Sequence, residues 1–116
     1  LDLLHRREVE ELRRRCDQLT RIPAEEYIAY SELVNKAGDV WHKAKEKDDF
    51  AMFCPLLQEL VEYNRKFAAY YDSTRAPYDA LLNEYERGVD TKMLDEFFAT
   101  LRQTIVPLLQ KIARMI

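Results

Sequence analysis

The sequence predicts an all-α protein, an antiparallel helical bundle of four long helices and one short helix. Three observations predict it. Across 116 residues there are only two Gly and four Pro, while Ala, Leu, Glu, Lys and Arg are plentiful, a balance that favours helix and gives no reason to expect a sheet. Apolar residues recur at steps of three and four rather than alternating. The breaks between these runs carry residues that stop and start helices. The length suits one domain, 1–116, with a single core and little to spare.

The first helix is read from the start to about residue 19, with His5, Val9, Leu12, Cys16 and Leu19 on its apolar stripe. Its outer face, "RREVEELRRR", mixes both signs in a pattern that suits i,i+4 pairing. Interleaved acids argue against nucleic-acid contacts by those arginines. "RIP" breaks the pattern, and Pro23 is placed as the first residue of the second helix, with Glu25 and Glu26 at its positive end. That helix carries Tyr27, Tyr30, Val34, Ala37, Trp41 and Ala44 on one face. Trp41 is expected to be largely buried beside Phe50 or Phe53, so that Trp41→Ala costs roughly 3–5 kcal/mol.

The "EKDD" run ends the second helix, and Asp48 or Asp49 can cap the next segment. Pro55 lies too far along for an ordinary first turn. Residues 49–53 are therefore expected as a separate turn, with the third helix beginning near Cys54. Its stripe is Leu57, Leu60, Asn64, Phe67 and Tyr71, widened by Leu56 and Val61. In the "RAPYDALLNEYERGVD" stretch beyond it, Pro77 starts the short helix and Asp79 sits in its first turn, while Leu81, Leu82 and Tyr85 are expected to face inward. Gly88 supplies a left-handed stop, and Val89 and Leu94 are spaced as a hydrophobic staple around Asp90. The fifth helix comes next with Leu94, Phe98, Leu101, Ile105, Leu108, Ile112 and Met115, and Pro107 is expected to bend it.

The formal charge of −3 is mild and mixed, and no apolar run approaches the ~18–20 residues of a membrane span. Neither nucleic acid nor membrane is expected as a partner. Cys16 and Cys54 are read as small buried hydrophobes in a reducing, cytoplasmic setting. The chain opens without Met and closes on "KIARMI" with no stop signal, which reads as an excised piece of a longer polypeptide.

Candidates for chemistry are few. His42 and Glu46 stand at i,i+4, but "HKAKE" offers no third ligand, so His42 is read as a surface or pocket-edge histidine. Glu59 and Glu62 form an ExxE pair without the ExxH repeats of a carboxylate-bridged metal bundle. No nucleophile motif and no Gly-rich phosphate loop occurs. No catalytic, cofactor-binding or metal-ligating residue is therefore assigned. The aromatics are read as core, with a peptide-binding groove as the alternative.

Two stretches are more specific than helix formation requires. One is "WHKAKEKDDFAMFCPLLQELVEYNRKFA", residues 41–68, and the other "YDALLNEYERG", residues 78–88. They resemble the N-terminal helical half of the carboxypeptidase Taq family of metallocarboxypeptidases. The matching positions are Trp41, Ala44, Asp49, Phe50, Phe53, Pro55, Leu57 and Lys66, then Tyr78, Asp79, Leu81, Leu82, Tyr85, Glu86 and Gly88. "RIPAEE" falls where that family tends to show Ile-Pro before a helix, and Arg87 departs from its usual Pro.

The resemblance implies an all-helical exopeptidase that removes C-terminal residues from peptides, with a divalent, zinc-type metal held by a His-Glu-x-x-His helix and a further Glu. No HExxH occurs in this chain, so no family ligand can be carried over. The expected role is a non-catalytic segment that covers the substrate cleft, with the catalytic half of the parent chain as its partner. The 75–90 stretch becomes a structural corner in which Tyr78 and Tyr85 pack, Asp79 caps or hydrogen-bonds, and Gly88 turns the chain. The rival is a stand-alone helical interaction module that binds a partner helix or peptide. Because the fifth helix also bears Phe97, Val106, Leu109 and Ile116 beside its main stripe, self-association as a dimer is expected.

Overall fold

The computed structural model describes residues 2–116. Five helices occur in order: α1 (Leu3–Arg21), α2 (Ala24–Glu46), α3 (Phe50–Tyr71), α4 (Pro77–Tyr85) and α5 (Thr91–Met115). The described residues contain no strand. The all-α reading with four long helices and one short one holds.

The α2–α3 connection is shorter than the sequence suggests. α2 closes with the Asp49 amide donating to the Ala44 carbonyl at 2.8 Å and the Asp48 amide donating to Lys45 at 3.3 Å. This is the paired bonding of a Schellman close, with Asp48 at φ 51 taking the left-handed position usually left to Gly. Asp49 then caps α3 at once, its side chain accepting from the Met52 amide at 3.3 Å. One residue finishes one helix and starts the next, which leaves no room for the separate turn expected at 49–53. The expectation that α3 begins near Cys54 is corrected to Phe50. Pro55 lies within the helix, where its missing N–H costs only the bond to Ala51, an exposed residue that water can serve.

The core lies between α2 and α3. Leu33, Ala37 and Leu56 are its buried centre, packed by Val40, Phe53, Leu60 and Tyr63. The buried positions of α2 are Leu33, Ala37 and Ala44, so the stripe read in the sequence is buried at Ala37 and Ala44 but exposed at Val34 and Trp41. Trp41 therefore falls on the flank. It is 43% exposed, against the expectation of burial, although it does stand beside Phe50 and Phe53 in a shallow cleft. The exposed Lys45 ammonium lies 5.2 Å from the centre of its ring.

α4 crosses α3 where side chains are smallest. Ala68 of α3 and Ala80 of α4 are both buried, and α3 and α4 are in contact. α1 also touches α3, but with an unexpected side. Glu11, Arg14 and Gln18 are its partly covered positions, while Val9, Leu12, Cys16 and Leu19 are exposed. The apolar stripe of α1 thus points away from the body, and both Cys16 and Cys54 are exposed rather than buried. α5 rests on α4. From residue 102 onward every position of α5 is exposed, and the helix runs through Pro107 without interruption.

This arrangement is far from a compact ball. The radius of gyration is 20.0 Å, against about 13 Å for a compact chain of this length. The accessible surface of 9799 Å² exceeds by roughly 3,000 Å² what a globular monomer of this mass exposes.

Candidate functional site

The corner between α3 and α5 is built from short polar side chains. Pro77 opens α4 with its preset φ and no amide to satisfy. Asp79, in the first turn, accepts from the Thr91 amide at 2.8 Å and so ties the start of α4 to the start of α5. Asn83 accepts from the Gly88 amide at 2.9 Å, a contact with no clear signal in the sequence. Gly88 turns the chain at φ 82, a conformation in which a Cβ would be strained. Asp90 caps α5 by accepting from the Met93 amide at 2.8 Å.

Tyr78 and Tyr85 do not pack as expected. Both are exposed, Tyr85 to 89%. Instead they stand at the mouth of a cleft of about 340 Å³ between α2, α3 and α4. Tyr27 and Tyr30 enter it from α2, and Asn64, Phe67 and Tyr71 from α3 at helical spacing. Leu81, Leu82 and Glu84 join from α4, and Ile22 of the α1–α2 connection closes one end. The floor is rigid: Tyr30 meets Phe67 edge to face with ring centres 5.0 Å apart, and Tyr63 stands 5.6 Å from Tyr30. Burial pushes the Tyr71 phenol above its ordinary range, and the nearby Glu84 carboxylate adds to the shift.

Beside the cleft, α2 and α3 are clamped by a charged triad. Lys66 Nζ lies 2.9 Å from Glu26 Oε1, and the Tyr70 hydroxyl donates to the same carboxylate at 3.0 and 3.1 Å. The bond from Lys66, helped by that from Tyr70, holds the Glu26 carboxyl below the ordinary range. Lys66 itself is pushed upward by Glu26, so it is held as a cation and is no candidate base. A carboxyl depressed in the folded state contributes stability that is fully present above its unfolded pKa, near 4.3, and is lost as pH falls through its folded pKa. Glu26→Gln is therefore expected to be less stable than the parent sequence at pH 7, with the gap closing in strong acid. Denaturant midpoints measured at both ends of this range check it, and a gap that does not change with pH would mean that the charge on Glu26 adds nothing to stability.

A polar notch on the other side of α4 mixes both signs, with Arg14, Arg21 and Arg75 beside Asp17, Asp72 and Glu84. Arg14 pairs with Glu11 at 3.2 Å, and that bond raises its pKa. Arg21 donates to the Tyr71 carbonyl, and Asp72 is held below its ordinary range by the Thr74 hydroxyl and amide.

The motif positions of the two specific stretches line separate clefts. Trp41, Asp49, Phe50 and Phe53 share the shallow one at the α2–α3 turn, and Tyr78 and Tyr85 the deeper one. Pro55 is exposed on α3. Among the described residues, no three His, Cys, Asp or Glu side chains come together to hold a metal ion. His42 faces solvent with its ring edge-on to Trp41. The residues present therefore do not fit the zinc-type metal that the resemblance implies for the parent.

The all-α fold and these clefts define a member of a metallopeptidase class. The family model described as carboxypeptidase Taq (M32) metallopeptidase matches residues 1–115, and the chain belongs to that family. Carboxypeptidase 1 of Bacillus subtilis is 40% identical over 104 residues, covering 90% of this chain and 21% of that protein. Thermostable carboxypeptidase 1 of Pyrococcus furiosus is 38% identical over 90 residues, covering 78% and 18%. Among solved structures, Trypanosoma cruzi metallocarboxypeptidase 1 superposes with a TM-score of 0.88 at 33% identity, covering 99% of this chain and 23% of that one. A Pyrococcus furiosus carboxypeptidase structure gives a TM-score of 0.84 at 35% identity, covering 90% and 21%. The chain spans about a fifth of the length of the curated relatives it matches.

Proposed function

We propose that this chain is a non-catalytic N-terminal helical segment of a metal-dependent carboxypeptidase, one that removes C-terminal residues from peptides, and that it walls part of the substrate cleft. The observation that carries the reading is the family match over residues 1–115 in a sequence that contains no HExxH. The metal and the water-activating Glu then belong to the remainder of the parent polypeptide. The work of this segment is positional: the α2–α3 hairpin and the Asp79–Gly88 corner hold a stiff helical wall, and the outward apolar stripes of α1 and α5 meet the catalytic half. The reading includes a cytoplasmic parent, supported by two free cysteines and by the described residues containing no helix long and apolar enough to cross a membrane.

Two measurements test it. The purified chain supplied with zinc is expected to release no C-terminal residue from a blocked dipeptide. Co-expression with the catalytic remainder of a relative is expected to yield a complex that does. Hydrolysis by the chain alone would overturn the proposal, as would failure of the chain to bind that remainder.

A further inference from the structure

We propose that the cleft between α2, α3 and α4 binds the basic side chain of a peptide, a lysine or an arginine, against its tyrosine faces and beside Glu84. Five tyrosines and one phenylalanine line the cleft, and Glu84, which also borders the polar notch with Arg14, Arg21 and Arg75, is the only charged side chain in its lining. Aromatic faces carry negative potential and attract cations, most strongly where water is partly excluded. A carboxylate at the same wall adds to that field. The walls between these groups are apolar, supplied by Leu81, Leu82 and Ile22, and suit the methylene stem of a long basic side chain. A small inorganic cation gains nothing from such walls, and an anion is repelled.

The fold leaves these features unexplained by packing. Tyr78 and Tyr85 are held in solvent at the cleft mouth, although a tyrosine exposed to this degree contributes little to stability. Glu84 makes no salt bridge within 4.0 Å among the described residues. Arg14 attracts it from the polar notch without closing on it. The volume of about 340 Å³ lies at the small end of the range for ligand pockets, the scale of one long side chain and a little backbone.

Binding and not hydrolysis is at stake here, so the outcome is independent of the carboxypeptidase reading. The chain is titrated at low salt with N-acetyl-lysinamide, N-acetyl-argininamide and the uncharged N-acetyl-norleucinamide, monitored by amide NMR shifts of α4 and by tyrosine fluorescence. The basic amides are expected to bind about tenfold more tightly than the norleucine compound, with the preference shrinking as salt is raised. Glu84→Gln is expected to remove most of that preference. Tyr85→Ala, at a position too exposed to disturb the fold, is expected to weaken the basic amides more than the neutral one. Equal or tighter binding of the norleucine compound would overturn the proposal and leave a plain apolar pocket. So would a preference that survives Glu84→Gln, or no saturable shift at all.

Discussion

Sedimentation of the chain at high protein concentration is expected to show a dimer in place of a monomer. α5 supplies the reason. Phe97, Phe98, Ile105, Val106, Leu108, Leu109 and Ile112 are all exposed, Leu109 to 58%, and they cover much of the circumference of one helix. A helix apolar on so many sides wants partners on more than one of them, and among the described residues its main contact is with α4. The surplus of roughly 3,000 Å² over a globular monomer is several times the ~800 Å² that each partner buries in a standard interface. At about 25 cal/mol per Å², covering even a third of it outweighs the usual cost of association. The contact is expected to include Leu109 and Ile116, either by face-to-face pairing or by exchange of α5 between copies. Leu109→Lys combined with Phe98→Lys should shift the equilibrium to monomer. A strict monomer at high concentration in the unaltered sequence would count against the apolar face as a docking surface. In the parent polypeptide we assign the same face to the catalytic half.

Phe67→Ala is expected to cost about 3–5 kcal/mol in denaturant titration, the largest loss from any single truncation in this chain. Phe67 is 4% exposed and stands at the centre of an aromatic group, with Tyr30, Tyr63 and Tyr70 at centroid separations of 5.0, 5.8 and 6.5 Å. Removing it withdraws the floor of the cleft and leaves a cavity that two long helices cannot close by shifting. Trp41→Ala, expected from the sequence to cost as much, should instead cost only about 1 kcal/mol, because much of the indole already meets solvent. Measured together, the two variants separate the core from its flank. A cost for Trp41→Ala equal to that for Phe67→Ala would mean that α2 is rotated relative to the packing described.

The secondary structure was legible in the sequence because its signals are local. Low Gly and Pro content, three-and-four spacing, Asp90 before α5 and Gly88 after α4 each act within a turn or two of the residues that carry them. The family was legible for a related reason. Residues such as Asp49, Asp79 and Gly88 form caps and turns that accept few substitutes, so they mark the chain more sharply than its apolar stripes do. The start of α3 is not legible in the sequence, because it follows from the Schellman close at Asp48 and Asp49, which depends on a non-Gly residue taking a left-handed conformation.

Which face of each helix is buried was decided only by the tertiary structure. Periodicity shows that a stripe exists, but each residue turns a helix by about 100°, and a rotation of only a fraction of that step leaves Ala37 and Ala44 buried while it moves Trp41 from core to flank. On α1 the difference is larger still, since Glu11, Arg14 and Gln18 face the body while Leu12 and Leu19 face out. A sequence cannot tell an apolar stripe that packs on its own chain from one that awaits another surface, because both bury the same residues in the end. The cleft is a product of the same level. Tyr27, Tyr71 and Tyr85 are distant along the chain and line one cleft only because α4 packs against α3 beside α2.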